Sequence, residues 1–245
     1  MMTLQSDFDV VQSFVDFSQA WLDARGYALT VDTDLSRWAA TMAATSNDAF
    51  VNPAFDPRHS RLSAADSFWL DVRAGSHTIA TSTARLLLTN DLLALLRTQR
   101  LWLEEPAPEL GTLEITAPNV PHIGGHVAHE GGLWVHPQHR KRGLSVILPH
   151  LNTALCLREW DIDWQTGIAR RAIGESGMAT WAYGFPHVER CFDGYFPLTR
   201  SLERLYLCYM DRDELTAGLD LDVVASLLPD SHEQPRHAPA LFQEG

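Results

Sequence analysis

Apolar positions recur at helical spacing from near the start of the chain. Over residues 8–25, Val11, Phe14, Val15, Phe17, Ala20, Trp21 and Leu22 recur at helical spacing, and Gly26 follows as a stop signal. Residues 27–31 read as a short strand, after which Asp32 and Asp34 offer caps for a second helix ending at Met42. Residues 47–63 are irregular, broken by Asn52-Pro53 and Asp56-Pro57. Residues 68–72 and 77–88 read as two strands joined through Ala74-Gly75-Ser76, a hairpin. Residues 91–103 are apolar at helical spacing; Pro106, Pro108, Pro118 and Pro121 then mark a loop-rich insertion with an extended piece at 113–116. Residues 124–137 form a strand, bulged or kinked near Gly131-Gly132, and residues 144–160 a helix that contains Pro149. A strand at 162–169, a short helix at 176–183 stopped by Gly184 and Pro186, and strands at 188–196 and 202–210 complete the pattern. The residues from about 229 onward are rich in polar breakers and read as a frayed end. This order mixes antiparallel neighbours with one crossover and predicts a mixed α/β fold.

The chain has 245 residues, 45% of them hydrophobic and 20% charged, enough for one large domain or two small ones. No apolar run is long enough to span a bilayer, and the N-terminus lacks the pattern of a signal peptide, so a cytoplasmic protein is expected. The three cysteines, Cys156, Cys191 and Cys208, are odd in number and at no metal-ligand spacing; they read as buried thiols in a reducing compartment, with no metal site. A formal net charge of −12 argues against a nucleic-acid surface and permits a cationic or amine substrate.

Against that acidic background one basic segment stands out. The strand containing Leu133, Trp134 and Val135 ends at His136-Pro137 and runs into Arg140-Lys141-Arg142-Gly143-Leu144-Ser145, directly before a helix. Lys141 is the only lysine in the sequence. A strand feeding a basic, glycine-containing turn at a helix N-terminus is an anion site, because free backbone N–H groups and the positive end of the helix dipole point at the ligand. A phosphorylated ligand is therefore expected.

This segment resembles the signature of the GNAT superfamily of acyl-CoA-dependent N-acyltransferases, Gln/Arg-x-x-Gly-x-Gly/Ala after a central strand, with Val135-His136-Pro137 standing where the family often shows Val-x-Pro and Ser145 replacing the last small residue. Tyr183-Gly184-Phe185 resembles the Gly-Phe pair that ends the family's last helix. The resemblance covers residues 68–210 and implies a central twisted mixed sheet flanked by helices. An N-terminal helical part would occupy 1–65, the acyltransferase core 66–215 and a C-terminal helix or tail 216–245. It implies acetyl-CoA, the family's commonest donor, as cosubstrate. The backbone from Arg142 to Ser145 would cradle the pyrophosphate, and Gly143 would leave room for its approach. Arg140, Lys141 and Arg142 would add positive charge, contact the 3′-phosphate or face solvent. Along the central strand, Leu133 and Val135 backbone groups are the expected thioester contacts, whereas Gly131-Gly132 also reads as a simple tight bend.

For the base that takes a proton from the amine, the resemblance points to the entry of the central strand, where Glu130 is the first choice and His129 and His126 are alternatives. The family's general-acid tyrosine falls one turn before the Gly-Phe pair, where this chain has Thr180 and Trp181; Tyr183 is nearby but out of register. Trp69, Trp102 and Trp164 read as pocket or core aromatics. The expected function is direct acyl transfer, with acetyl first, from acyl-CoA to a small amine. A noncatalytic CoA-binding or regulatory protein of the same fold is the alternative. A homodimer is compatible with either; nucleic acid and membrane partners are not expected.

Overall fold

The computed structural model describes residues 4–45 and 51–229. The helices are α1 (Leu4–Asp23), α2 (Leu35–Thr45), α3 (Leu92–Arg97), α4 (Leu144–Trp160), α5 (Arg171–Ser176), α6 (Met178–Trp181), α7 (Arg212–Ala217) and α8 (Leu221–Leu227). The strands are β1 (Ala28–Asp32), β2 (Ser67–Ala74), β3 (His77–Thr89), β4 (Gly125–Val135), β5 (Trp164–Arg170), β6 (His187–Phe196) and β7 (Ser201–Asp211). All seven strands join one sheet in the order β1-β2-β3-β4-β5-β7-β6. Every pairing is antiparallel except β4 with β5, which α4 connects as a crossover.

Both faces of the sheet are covered. On one side α1 and α4 bury Phe14, Leu22, Ile147, Leu151 and Cys156 against Leu70, Ala80 and Ala128. On the other, α2, the 3-10 turn Pro53–Phe55 and α3 bury Trp38, Phe55 and Leu96 against Trp69, Val127 and Leu207. That second layer explains why Trp69 and Trp102 are core residues, at 0% and 4% exposure. Helix α4 is apolar almost all round because it has covering on every side: sheet beneath, α1 and α8 alongside. All three cysteines are free and buried.

The structure departs from the sequence pattern in two helices. The expected helix over 91–103 stops at Arg97, because Gln99 takes a left-handed backbone (φ 61°) and buries its side chain, donating to the Leu110 and Gly111 carbonyls. The expected helix over 176–183 begins earlier, at Arg171, and is broken into α5 and α6 by Gly177 at φ 78°. Within 1–65, the stretch assigned to a helical part, β1 is the edge strand of the common sheet. Residues 113–116 form no strand, although Thr116 N donates to the Cys191 carbonyl. Most of the C-terminal tail lies outside the described residues.

Candidate active site

The central feature is a fork in the sheet. β4 and β5 are paired from Val127↔Trp164 to Glu130↔Gly167 and no further, while β5 continues along β7 to Arg170 and β4 continues along β3 to Val135. Beyond Glu130 the two parallel strands therefore part. The fork begins where β4 carries a bulge: Thr83 opposes Gly131 and Thr81 opposes Trp134, so β4 has one residue more than β3. Gly132 sits there at φ 59°, and a Cβ on it would lie 2.6 Å from Trp38 Cζ2. Thr81 and Thr83, both fully buried, donate from Oγ1 to the Gly132 and Gly131 carbonyls at 2.9 Å each and pin the bulge.

After the bulge, His136 N donates to the Ile79 carbonyl at 2.7 Å, so the residue before it, Val135, turns its backbone groups away from β3 and into the fork. By the same alternation Leu133 does so too. The Val135 carbonyl is taken by Arg140 Nε at 3.2 Å, which leaves its N–H for a ligand. Two of the predicted contact residues are thus placed on the open side of β4.

The basic turn closes the top of the fork. It runs through the 3-10 turn Pro137–His139 to Lys141 (φ 60°) and Gly143 (φ 86°), two left-handed residues that bend successive N–H groups inward. The first bonds of α4 are Val146 N and Ile147 N to the Gly143 carbonyl, so the amides of Leu144 and Ser145 have no acceptor among the described residues. These two N–H groups, at the N-terminus of a 17-residue helix, suit a phosphate. Arg140, Lys141 and Arg142 are exposed around them, and Arg142 Nη1 reaches Tyr27 Oη at 3.5 Å. Gly143 has a packing reason that the sequence did not show. Its absent Cβ would meet Trp21 Cζ2 at 2.8 Å and Leu228 Cδ2 at 3.0 Å, so the glycine makes room for α1 and the C-terminal segment as well as satisfying φ.

The three catalytic candidates do not converge. Glu130 and His129 are neighbours on a strand and so point to opposite faces. Glu130 is buried on the α4 face, where Gln165 Nε2 donates to its Oε2 at 2.9 Å. Burial pushes its carboxyl up to about 8. Tyr183 is half-buried on the same face, interacts electrostatically with Glu130, and is pushed up to about 12, again by burial. His129 lies on the other face, stacked on Phe55 with ring centroids 5.7 Å apart and bonded to Thr166 Oγ1 at 3.2 Å. Burial and the nearby Arg85 hold it down at about 3, so it is a neutral core residue at physiological pH. His126 is exposed at the opposite end of β4 from the turn, with its backbone N–H on Asp163.

Sequence reasoning missed the residues that surround these groups: Thr81 and Thr83 at the bulge, Asn152 and Gln165 beside Glu130, and Trp21 and Tyr27 beside the turn. Asn152 and Gln165 carried a faint signal, as amides inside otherwise apolar runs. Among the described residues no group of three or more His, Cys, Asp or Glu is placed to hold a metal, and no helix is long and apolar enough to cross a membrane.

Strand order, parallel fork and basic helix N-terminus together define the GNAT fold, and the chain has it. The solved structure of Arabidopsis thaliana NAA60 in complex with acetyl-CoA superposes with a TM-score of 0.50 at 13% identity, covering 76% of this chain and 99% of that one. The ribosomal-protein-S5-alanine acetyltransferase from Vibrio fischeri also matches, at a TM-score of 0.47 and 14% identity over 77% of this chain and 94% of that one. No protein-family model and no curated protein sequence matches the chain.

Proposed function

We propose that the protein is an N-acyltransferase that moves an acyl group, acetyl first, from acyl-CoA directly to a small amine. The observation that carries this reading is the fork between β4 and β5 running up to the unpaired Leu144 and Ser145 amides. A CoA pyrophosphate on those amides, with Arg140, Lys141 and Arg142 around it, directs the pantetheine arm down the fork toward Glu130. The Val135 and Leu133 N–H groups then face the arm and the thioester, where a donor steadies charge growing on the carbonyl oxygen. The amine nitrogen attacks the thioester carbon and the C–S bond breaks. The thiolate takes a proton from Tyr183 or from water, and the proton lost by the amine passes to Glu130 and on to solvent. Glu130 accepts a proton only as the carboxylate, so turnover rises with pH up to about 8.

A CoA-binding protein without catalysis is the second reading, favoured by one observation: Thr180, exposed on α6, stands where the resemblance expects a tyrosine. Calorimetric titration with acetyl-CoA, followed by a free-thiol assay over a panel of amines, separates the two. Binding with thiol release on at least one amine is the expected result. Binding with release on none favours the second reading, and absence of binding removes both. Ser145→Glu locates the ligand. An acidic residue in the first turn favours the helix dipole by about 0.3–1 kcal/mol, so the variant keeps its melting temperature, while its charge repels phosphate and lowers acetyl-CoA affinity at least tenfold. Unchanged affinity would place the nucleotide elsewhere.

A further inference from the structure

The sheet has two outer edges, and they are finished differently. β6 is a protected edge. It bulges between Arg190 and Phe192, carries Glu189, Arg190 and Asp193, and its Cys191 carbonyl accepts from Thr116 N of the loop-rich insertion. β1 has none of these devices. Its pairing with β2 is regular from Ala28↔Arg73 to Asp32↔Trp69, and it contains no proline, glycine or lysine. Among the described residues no backbone group bonds to its outer side. Ala28, Thr30 and Val31 are exposed, Val31 at 46%. An open edge of this kind is a template for another strand.

Charge and side-chain placement select a second copy of the same strand. One end of β1 leads through Asp32 to Asp34; at the other stand Arg25 and Arg73. Arg37 offsets Asp32 at 2.7 Å, and Asp71 offsets Arg73 at 2.8 Å, so Asp34 and Arg25 leave the two ends with opposite net charge. Alternation puts Leu29 and Val31 on the face of α1 and α4, where Val31 borders a hollow of about 320 Å3 lined also by Phe68, Leu155 and Trp160. An antiparallel second copy centred on Thr30 sets Leu29 against Val31, Ala28 against Asp32 and Gly26 against Asp34. The acidic end of each copy then meets the basic end of the other, and the two apolar residues meet on one face. We propose that β1 is a self-pairing edge: two copies of this chain join antiparallel through residues 28–32, on a two-fold axis at Thr30, into one continuous sheet. This contact stands apart from the acyl-transfer reading.

Light scattering after size exclusion tests it on the full chain. The parent should run with the mass of two chains. Thr30→Lys and Thr30→Asp each set like charges face to face at the axis, which opposes pairing, so each variant alone should run with the mass of one chain. Thr30 is exposed, and each variant should keep the circular dichroism of the parent. An equimolar mixture of the two variants should return to the mass of two chains, because opposite charges then meet at the axis. That recovery also shows that both variants are folded at the edge. Three results overturn the proposal. A parent with the mass of one chain denies the interface. A dimer that persists in either single variant places the contact elsewhere. Variants that stay single when mixed deny that Thr30 faces its own copy.

Discussion

Two adjacent residues of β4 show how a strand can give neighbours opposite chemistry. Glu130 and His129 are both buried and both neutral near pH 6, one because its carboxyl is pushed up to about 8, the other because its imidazole is held down at about 3. Their effects on stability run in opposite directions. Glu130 is protonated in the folded state and, unfolded, loses its proton around 4.5, so its contribution is full below that pH and is lost as pH rises through 8. His129 is neutral when folded and, unfolded, gains a proton below 6.5, so its contribution is full above that pH and is lost as pH falls toward 3. Between 4.5 and 6.5 the two slopes cancel. Glu130→Gln should therefore match the parent in acid and become more stable than it by roughly a few kcal/mol as pH rises through 8. Urea unfolding at several pH values measures this; a difference that does not depend on pH would mean the carboxyl is ionised in the folded protein.

At the scale of elements, the bulge in β4 and the turn before α4 decide the shape of the site. The Gly131-Gly132 pair was legible as a bend or a bulge; what demands glycine was not. That demand comes from Trp38 on α2 and Thr83 on β3, distant in sequence and brought together only by packing. Gly132→Ala would force a side chain onto a left-handed backbone between those two residues. It should cost roughly 1–3 kcal/mol or more in urea unfolding. A neutral result would show that the bulge relaxes without strain. The turn was more legible, because Arg140 to Ser145 are consecutive and a basic loop before a helix carries its physics locally. The broken helix at Gly177 was not: the residues on either side have helical character, and only the left-handed backbone at that one glycine separates α5 from α6.

At the scale of the whole molecule, the fork between β4 and β5 is the consequence of two incompatible partnerships. β5 follows β7 to its end and β4 follows β3 to its end, so the one parallel pairing in the sheet cannot extend past Glu130. Hydrogen exchange should report this directly. The amides of residues 127–130 should exchange slowly and those of Leu133 and Val135 faster than those of Trp134 and His136, and acetyl-CoA should slow the fast pair. Equal protection across 131–136 in the free protein would mean that the strands do not part. The local information in the chain was sufficient for its strands, for α1 and α4 and for a basic turn at a helix N-terminus, because hydrophobic period, glycine placement and consecutive charges act over a few residues. It was also sufficient to pick out Glu130, but not to say what surrounds its carboxyl. That was decided by Asn152 from a helix, Gln165 from a neighbouring strand and the burial they share, since solvation and hydrogen-bond satisfaction depend on what lies within a few ångströms in space and not on what lies next in sequence.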